Sequence, residues 1–202
     1  MYPGEGLFVN NLEKIRESTE YIKRELCNKA TVGIICGTGL GPIADRIENP
    51  TVLSYSEIPH FPVGAVAGHA NKALFGALEG VHVIAFQGRF HFYEGHNLET
   101  ATLPVRVMAE LGVNTLVITN AAGGLQRSFR VGDIMAIEDQ INFQFQNPLI
   151  GRNHEELGPR FPDMSAPYSP TAINLASEIA LEQKTRLQRG VYLAVKIGRA
   201  HV

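Results

Sequence analysis

The sequence predicts a three-layer α/β domain whose central sheet is mixed. Three observations carry this prediction: short apolar, β-branched segments that end at glycines, amphipathic segments between them, and two strand-like segments separated by a two-residue turn. Alternating strands and helices are typical of a sheet covered by helices on both faces. The chain has 202 residues, of which 45% are hydrophobic, so it can bury a substantial core, and we expect one domain over residues 1–195.

The first half of the chain is predicted to supply a helix, a buried strand and a hairpin. Apolar residues recur at helical intervals among charged ones over residues 12–27, and residues 31–36 form a short apolar run typical of a strand buried on both faces. Residues 73–78 and 81–86 flank Glu79-Gly80, a sequence typical of a hairpin turn. Because a hairpin is antiparallel, we expect the sheet to be mixed.

The second half of the chain is predicted to alternate in the same way. A helix over residues 98–111 ends at Gly112, and Pro104 either bends this helix or marks a later start. Residues 115–119 are predicted to form another buried strand. The remaining predicted elements are a strand at 133–140, a long surface loop at 147–170, a helix at 171–186 and a strand at 191–195.

The composition limits the classes of binding partner and the cellular compartment that we expect for this protein. A formal net charge of -2 excludes a strongly basic surface, so neither nucleic acid nor a membrane is an expected partner, and an anionic ligand needs a local cluster of donors. No segment resembles a secretion signal or approaches the roughly 20 apolar residues of a membrane span. Cys27 and Cys36 lack CxxC spacing, which favours reduced thiols over a disulfide framework. We therefore expect a cytoplasmic protein.

A glycine-rich segment, Gly37-Thr-Gly-Leu-Gly41, directly follows the first predicted strand and precedes a helix start at Pro42. Its backbone N–H groups and the Thr38 hydroxyl can cradle a phosphate. A dinucleotide site needs G-x-G-x-x-G, and here the third glycine falls one place early, while a Walker loop needs a Gly-Lys-Ser/Thr sequence that does not follow. A tight turn without a ligand stays the alternative.

A second segment, Gln87-Gly-Arg-Phe-His-Phe-Tyr-Glu-Gly95, follows the second strand of the predicted hairpin. Arg89 and His91 are two positions apart, which in an extended segment puts both side chains on one side. A guanidinium and an imidazole placed in this way can hold one oxyanion. The same alternation turns Phe90 and Phe92 toward the core.

Two other interpretations of this second segment stay open. Arg89 can form an ion pair with Glu94, and this pair can coexist with ligand binding. His91 and His96 can be metal ligands, but the nearest carboxylate, Glu94, completes no known ligand spacing. We therefore expect no metal site.

Two further segments can approach a ligand. Residues 59–69 contain two prolines, two glycines and two histidines, and they suit a loop that closes over a ligand through His69, with a merely solvated histidine as the alternative. His60 is the weaker candidate. Residues 119–124 place small residues after a strand, so that either backbone N–H groups come close to a ligand or the strand packs tightly on a helix.

Taken in order, these four segments resemble the trimeric purine-nucleoside phosphorylases that act on inosine and guanosine. The agreement runs from about Tyr21 to Val195 and also includes residues 55–59 and 131–134. The resemblance implies the phosphorylase/hydrolase-like α/β fold, with a mixed sheet distorted toward a barrel, and a homotrimer. A methylthioadenosine phosphorylase is the alternative within the same class, but that relative differs at residues 87–91.

The resemblance also implies site residues, position by position. The implied phosphate ligands are Thr38, His69, Arg89, Phe90, His91 and the backbone N–H of Ala121, with Arg89 and His91 as the catalytic residues. The implied nucleoside-binding residues are Tyr93, Asn120, Ala121, Ala122, Gly123 and Phe161, the last reaching the sugar from a neighbouring subunit.

The implied activity is the reversible phosphorolysis of inosine, guanosine and their deoxy forms in purine salvage. Inorganic phosphate is the co-substrate, and no metal or cofactor is expected, because positioning the phosphate dianion under a ribosyl cation stabilises the transition state electrostatically.

The sequence departs from the family's pattern at two places. Residues 141–148 are a few positions shorter than usual, and the family pattern ends at Val195, after which Lys196–Val202 forms a divergent tail. In the family, the residues that hold the purine lie further on. We therefore expect an incomplete C-terminus and a weakly active or inactive form, with a non-catalytic phosphate-binding or subunit-partner role as the alternative.

Overall fold

A computed structural model of the chain describes residues 11–26, 29–63 and 70–195. Their contacts define two units, one up to Ala121 and one from Ala122 onward, and each is described by itself. The single domain expected over residues 1–195 stays a prediction. The helices and strands are α1 (Asn11–Glu25), β1 (Val32–Cys36), β2 (Glu48–Ser54), β3 (Lys72–Leu78), β4 (Val81–Gln87), α2 (Leu98–Glu110), β5 (Thr115–Ile118), β6 (Ile134–Asn142), α3 (Pro170–Glu182) and β7 (Leu187–Ala194).

The first unit contains a five-stranded sheet in the order β2-β3-β4-β1-β5. β1 runs parallel to both β4 and β5, whereas β3 runs antiparallel to β2 and β4. The hairpin pairs Leu78 with Val81, and both turn residues have positive φ, 50° at Glu79 and 77° at Gly80. Positive φ at both positions is the geometry of a type I′ turn, which matches the twist of the two strands. The predicted hairpin and mixed sheet are confirmed.

Both faces of this sheet are covered, which explains the uninterrupted apolar run of β1. On one face, Ile34 and Cys36 join a buried cluster with Ala44 of a short 3-10 segment and with Ile47, the residue that follows it. On the other face, the backbone of Gly33 lies against the Met108 side chain of α2, and α2 packs on α1. Helical segments on both sides of a sheet give the layered α/β fold that the sequence predicts.

α2 runs through its internal proline. The Asn97 side chain accepts a hydrogen bond of 2.8 Å from the backbone N–H of Thr100, which caps the first turn. The helix therefore begins at Leu98, and the alternative of a later start at Pro104 is wrong. Gly112, with φ of 86°, follows the helix end as predicted.

The second unit consists of the parallel pair β6 and β7 together with α3. The long loop predicted for residues 147–170 is present and ends one residue earlier, before α3 begins at Pro170, with one 3-10 turn at Glu155–Leu157. α3 is shorter than predicted, because the chain leaves the helix after Glu182, takes a positive φ of 52° at Lys184 and begins β7 at Leu187. None of the described residues from 122 to 195 is buried.

Two expectations about the sheets are modified by the structure. Within the described residues both sheets are open, so the distortion toward a barrel is not seen there. Among the described strands, β5 lies at one edge of its sheet, and Val117 and Ile118 are 45% and 53% exposed. The strand is present as predicted, but the prediction that it is buried is wrong. Among the described helices, none is long and apolar enough to cross a membrane.

Candidate functional site

The loops that follow β1, β4 and β5 start side by side at one edge of the sheet. The register pairs Cys36 with Gln87 and Ile35 with Ile118, so three parallel strands end at nearly the same level. β4 lies on one side of β1, and the chain reaches it through β2 and β3. The chain then returns through α2 to form β5 on the other side of β1. In open α/β sheets, ligands bind at such a switch point, outside the carboxyl ends of the strands. Three of the four segments singled out in the sequence are brought together here.

The glycine-rich segment after β1 forms a tight turn. The backbone N–H of Leu40 donates to the carbonyl of Gly37 at 3.1 Å, and Gly39 at the third position has a φ of 81°, which favours glycine. Thr38 and Gly39 are exposed at the tip of this turn. The predicted helix start at Pro42 is a six-residue 3-10 segment, Gly41–Arg46. An anion at this loop would therefore be held by the turn itself.

Arg89 and His91 lie on one side of the chain after β4, as their spacing predicts. The Arg89 Nε donates to the His91 Nε2 at 3.3 Å, and the Arg89 Nη1 donates to the carbonyl of Thr119 at 2.9 Å. The His91 Nδ1 lies 2.9 Å from a Glu94 carboxylate oxygen. With Nε2 accepting, the proton is assigned to Nδ1, where it is donated to Glu94. Glu94 therefore orients the imidazole ring.

The aromatic residues of the same segment do not all face the core. Phe90 is 4% exposed, and its ring packs among other aromatic rings, so only its backbone is placed to contact a ligand. Phe92 is 48% exposed, and the prediction that it faces the core is wrong. A 3-10 turn at Phe92–Glu94 ends the extended alternation at His91. Tyr93 is 53% exposed, and its ring stacks on the His91 ring with 4.6 Å between centroids.

A buried tyrosine that the sequence analysis did not single out as a site residue supports the Arg89 segment from below. The Tyr55 hydroxyl donates to the carbonyl of Gly88 at 2.7 Å, and its ring meets Phe61 and Phe90 edge-on at 5.4 and 5.5 Å. Burial, reinforced by the nearby Cys36, raises the pKa of Tyr55 well above its usual range. Tyr55 therefore stays protonated and keeps donating this hydrogen bond over the whole physiological pH range.

Gln87, the last residue of β4, ties this strand to the glycine-rich loop. Its side-chain amide donates to the carbonyl of Gly41 at 2.7 Å and to the Asp45 carboxylate at 3.0 Å, and the residue is 5% exposed. Next to it, burial and the charge of Asp45 raise the pKa of the Cys36 thiol. Cys36 is a buried free thiol, in agreement with the reduced thiol that the sequence predicts, and its raised pKa disfavours the nucleophilic thiolate.

The third loop begins at Thr119, which contacts both of the others. Its carbonyl accepts from Arg89, and its hydroxyl oxygen accepts from the backbone N–H of Gly37 at 2.8 Å. Asn120 is half-buried, and Ala121 is exposed. Ala121, whose N–H was expected to contact phosphate, thus lies two positions after Thr119, the residue that joins the other two loops.

The other implied nucleoside-binding residues belong to the second unit. Ala122 and Gly123 are exposed, and Phe161 is 87% exposed. The neighbouring Arg160 donates to the carbonyl of Gly151 at 2.6 Å, and its guanidinium lies 6.0 Å from the centre of the Phe161 ring. The Phe161 ring is therefore exposed to solvent, on a loop that the Arg160 hydrogen bond to Gly151 holds in place.

His69 lies outside the described residues, whereas the segment leading toward it is anchored. The Ser18 hydroxyl of α1 donates to the carbonyl of Pro59 at 2.6 Å, and His60 pairs with the Glu17 carboxylate. His60 thus has a carboxylate partner on α1, which agrees with its being the weaker of the two candidates for a ligand-binding histidine.

The described residues contain no cluster of three or more His, Cys, Asp or Glu side chains able to hold a metal ion. His91 has hydrogen-bond contacts at both ring nitrogens, and the His96 ring packs edge-on against Phe90 at 5.8 Å. The expectation that no metal or cofactor is required stays a prediction.

An exposed glycine turn, a guanidinium and an oriented imidazole at the ends of three parallel strands form the arrangement expected of a candidate anion site in an α/β enzyme. The sequence profile described as the Phosphorylase superfamily matches residues 31–196. The chain belongs to this superfamily and, within it, groups with the purine nucleoside phosphorylases.

Individual relatives agree over most of the chain. Purine nucleoside phosphorylase 1 of Bacillus subtilis is 52% identical over 183 residues, which cover 91% of this chain and 68% of the relative. The Rattus norvegicus purine nucleoside phosphorylase is 44% identical over 188 residues, covering 90% and 64%. The chain thus spans about two thirds of the length of these relatives.

Solved structures agree in fold as well. The Schistosoma mansoni purine nucleoside phosphorylase in complex with acetate superposes with a TM-score of 0.88 at 38% identity, covering 95% of this chain and 72% of that one. The structure of the same enzyme in complex with inosine gives 0.87 at 37% identity, covering 95% and 68%.

Proposed function

We propose that this chain is a purine-nucleoside phosphorylase, a pentosyltransferase that converts inosine, guanosine and their deoxy forms with phosphate into free base and (deoxy)ribose 1-phosphate in purine salvage. The observation that carries this proposal is the contact of Arg89 with His91 and with the strand end that also holds the Gly37 turn. The names of the relatives support the reaction, and the relative solved with inosine supports a purine nucleoside as the substrate class.

The proposed phosphate site is a set of neutral and cationic donors. Arg89 supplies a fixed positive charge, and Thr38 supplies a hydroxyl on an exposed turn. His91 supplies an imidazole that Glu94 orients, and it would donate to the dianion from Nε2 when that nitrogen carries a proton instead of accepting from Arg89. The backbone N–H of Ala121, that of Phe90 and the side chain of His69 complete the proposed set. Because the chain carries a net charge of -2, local donors of this kind, and not a general positive field, must attract the dianion.

The reaction needs positioning and electrostatics from these residues. A phosphate oxygen forms a bond to the anomeric carbon from the face opposite the base, the N-glycosidic bond breaks, and its electron pair leaves with the purine, which gains a proton. The sugar passes through an oxocarbenium-like state and ends as the 1-phosphate with inverted configuration. Over the whole reaction, the proton that the purine gains is balanced by the one that the monohydrogen phosphate dianion loses as it becomes the sugar ester. Arg89 and His91 hold the dianion beneath that cation, which lowers the barrier without a metal or cofactor.

The nucleoside would lie above the phosphate, against Tyr93, Asn120 and Ala121. Ala122 and Gly123, which follow in the chain, stay predicted nucleoside-binding residues. Tyr93 is the exposed ring that stacks on His91, so it is placed to contact a ribose next to a phosphate held by that histidine. Phe161 would cover the sugar from a neighbouring subunit of a homotrimer, and its 87% exposure supports this role. Light scattering of the purified chain tests the trimer, and a stable monomer would contradict it.

We place the protein in the cytoplasm, with no nucleic acid or membrane partner.

Phosphate dependence tests the proposed reaction. The chain is expected to be weakly active or inactive. Any hypoxanthine that it releases from inosine should require added phosphate, with one ribose 1-phosphate formed per base, because phosphate and not water is the nucleophile. Base is measured by absorbance and the sugar phosphate by phosphorus NMR in the same sample. Release without phosphate, or a chain that neither releases base nor binds phosphate, contradicts the proposal.

A further inference from the structure

Thr119, the first residue after β5, occupies the point where the three strand-end loops meet. Its hydroxyl oxygen accepts a hydrogen bond from the backbone N–H of Gly37 at 2.8 Å and donates to the carbonyl of Ile35 at 3.2 Å. Its own N–H donates to the same carbonyl at 3.0 Å. The side chain of Thr119 thus fixes the first residue of the glycine-rich turn to the end of β5.

The backbone of Thr119 holds the other half of the site. Its carbonyl accepts from the Arg89 Nη1 at 2.9 Å, while the Arg89 Nε contacts the His91 ring at 3.3 Å. The direction of the guanidinium is therefore set by the same residue that holds the glycine turn. A displacement of Thr119 would move both groups relative to each other.

The approach between the two loops is close enough to leave little freedom. A Cβ on Gly37 would lie 2.3 Å from the carbonyl oxygen of Thr119 and 2.8 Å from the Cα of Asn120, which is shorter than any normal contact. Residues 37 and 119 are thus in direct backbone contact, and the hydroxyl bond of Thr119 is made at the place where the loops are closest. A short hydrogen bond at a point of backbone contact restricts the relative motion of both loops.

We infer that Thr119 is a positioning residue for phosphate, which sets the distance and angle between the Gly37 turn and the Arg89 guanidinium. This inference rests on the proposed function, because it assigns to Thr119 the preorganisation of the site that function requires. The N–H of Gly37 is committed to Thr119 and takes no part in holding the anion. Thr38, Gly39 and Arg89 are then presented to the ligand in a fixed arrangement.

Valine and serine substitutions separate the hydroxyl from the shape of the side chain. Thr119→Val keeps the branched shape and the carbonyl but removes both hydroxyl bonds, whereas Thr119→Ser keeps a hydroxyl. We expect the valine variant to bind phosphate roughly tenfold more weakly, the scale of one well-placed hydrogen bond. Hydrogen exchange at the Gly37 amide should accelerate by a similar factor. The serine variant should stay within about threefold of the wild type in both measurements.

Thr115→Val is the matched control, because it makes the same change at the other end of β5, where the threonine hydroxyl bonds the Asn114 side chain on an exposed surface. It should leave the phosphate affinity and the exchange at Gly37 unchanged. Phosphate binding is measured by calorimetry at constant ionic strength, and the melting temperature of each variant is recorded beside it. A merely structural role would lower the melting temperature of Thr119→Val without changing the phosphate affinity.

The outcomes separate the inference from the proposed function. A wild-type chain that does not bind phosphate overturns both. A wild-type chain that binds phosphate, together with a valine variant of equal affinity, overturns the inference alone. If the valine variant does not fold, Thr119→Ser still decides, since a tenfold loss of affinity in a variant that keeps the hydroxyl contradicts the role assigned to it.

Discussion

Replacing Arg89 with alanine is expected to weaken phosphate binding by roughly 10- to 150-fold. Hydrogen bonds to charged groups contribute about 1.5–3 kcal/mol, and each 1.4 kcal/mol corresponds to about a factor of ten in the dissociation constant. The guanidinium also carries the fixed charge of the site and is held by Thr119 and His91. Calorimetric titration with phosphate at one ionic strength measures the loss, because salt screens part of the attraction.

Two further variants make this result specific. Arg89→Lys keeps the charge but loses the planar fork that contacts Thr119 and His91 together, so its affinity should lie between those of the wild type and Arg89→Ala. Arg46→Ala removes an exposed guanidinium that pairs with Glu79, and it should bind phosphate like the wild type. Phosphate affinity of Arg89→Ala within about twofold of the wild type would place the anion elsewhere.

We expect Gly37→Ala to lower the stability of the chain and to weaken phosphate binding together, because a shift of residue 37 displaces the turn that carries Thr38. The added Cβ would lie 2.3 Å from the carbonyl oxygen of Thr119. Neither atom can move away by a side-chain rotation, because the backbone fixes the position of both. Overpacking of this kind costs about 1–3 kcal/mol, which in a chain of this size lowers the melting temperature by roughly 2–12 °C. Differential scanning calorimetry and phosphate titration of the same preparation give the two results.

Gly41→Ala is the control within the same loop. A Cβ at Gly41 would find its nearest neighbour, the Gln87 amide nitrogen, at an ordinary 3.8 Å. This variant should melt near the wild type and keep its phosphate affinity. If Gly37→Ala were as stable as Gly41→Ala, the close approach of the loops after β1 and β5 would be wrong.

Local signals predict most of the first sheet. The Glu79-Gly80 turn predicts the β3–β4 hairpin because two adjacent positive φ values are needed there, and the apolar run of β1 predicts burial on both faces. β2 was not predicted. It is an edge strand with Pro50 near its start and a register shift between Glu48 and Thr51, so neither composition nor alternation marks it.

Burial is harder to predict than the strands themselves. The apolar residues of β5 predict a buried strand, but burial depends on how many neighbouring strands and helices reach it. β5 pairs only with β1 among the described strands, and half of the surface of Ile118 is exposed. The sequence of five residues carries no information about the number of its partners.

In the candidate site, too, contacts between residues close in the sequence were predicted, whereas contacts between distant segments were not. The spacing of Arg89 and His91 predicts that they converge, because two positions in an extended chain are enough to define one side. Thr119, Tyr55 and Gln87 were not predicted, since their contacts join segments that are 82, 33 and 46 residues apart. The available signal was position: Thr119 and Gln87 each stand at the junction of a strand with a glycine- or alanine-rich motif.

A phosphate titration of the isotope-labelled chain, followed by NMR, tests most directly whether the ends of β1, β4 and β5 form one phosphate site. We expect saturable shifts at the backbone amides of Thr38, Gly39 and Ala121 and at the His91 ring, with one common affinity, and we expect saturation to require roughly 10- to 150-fold more phosphate in Arg89→Ala. Saturation that leaves these groups unshifted, or that occurs at the same phosphate concentration in Arg89→Ala, would contradict the assignment of this site.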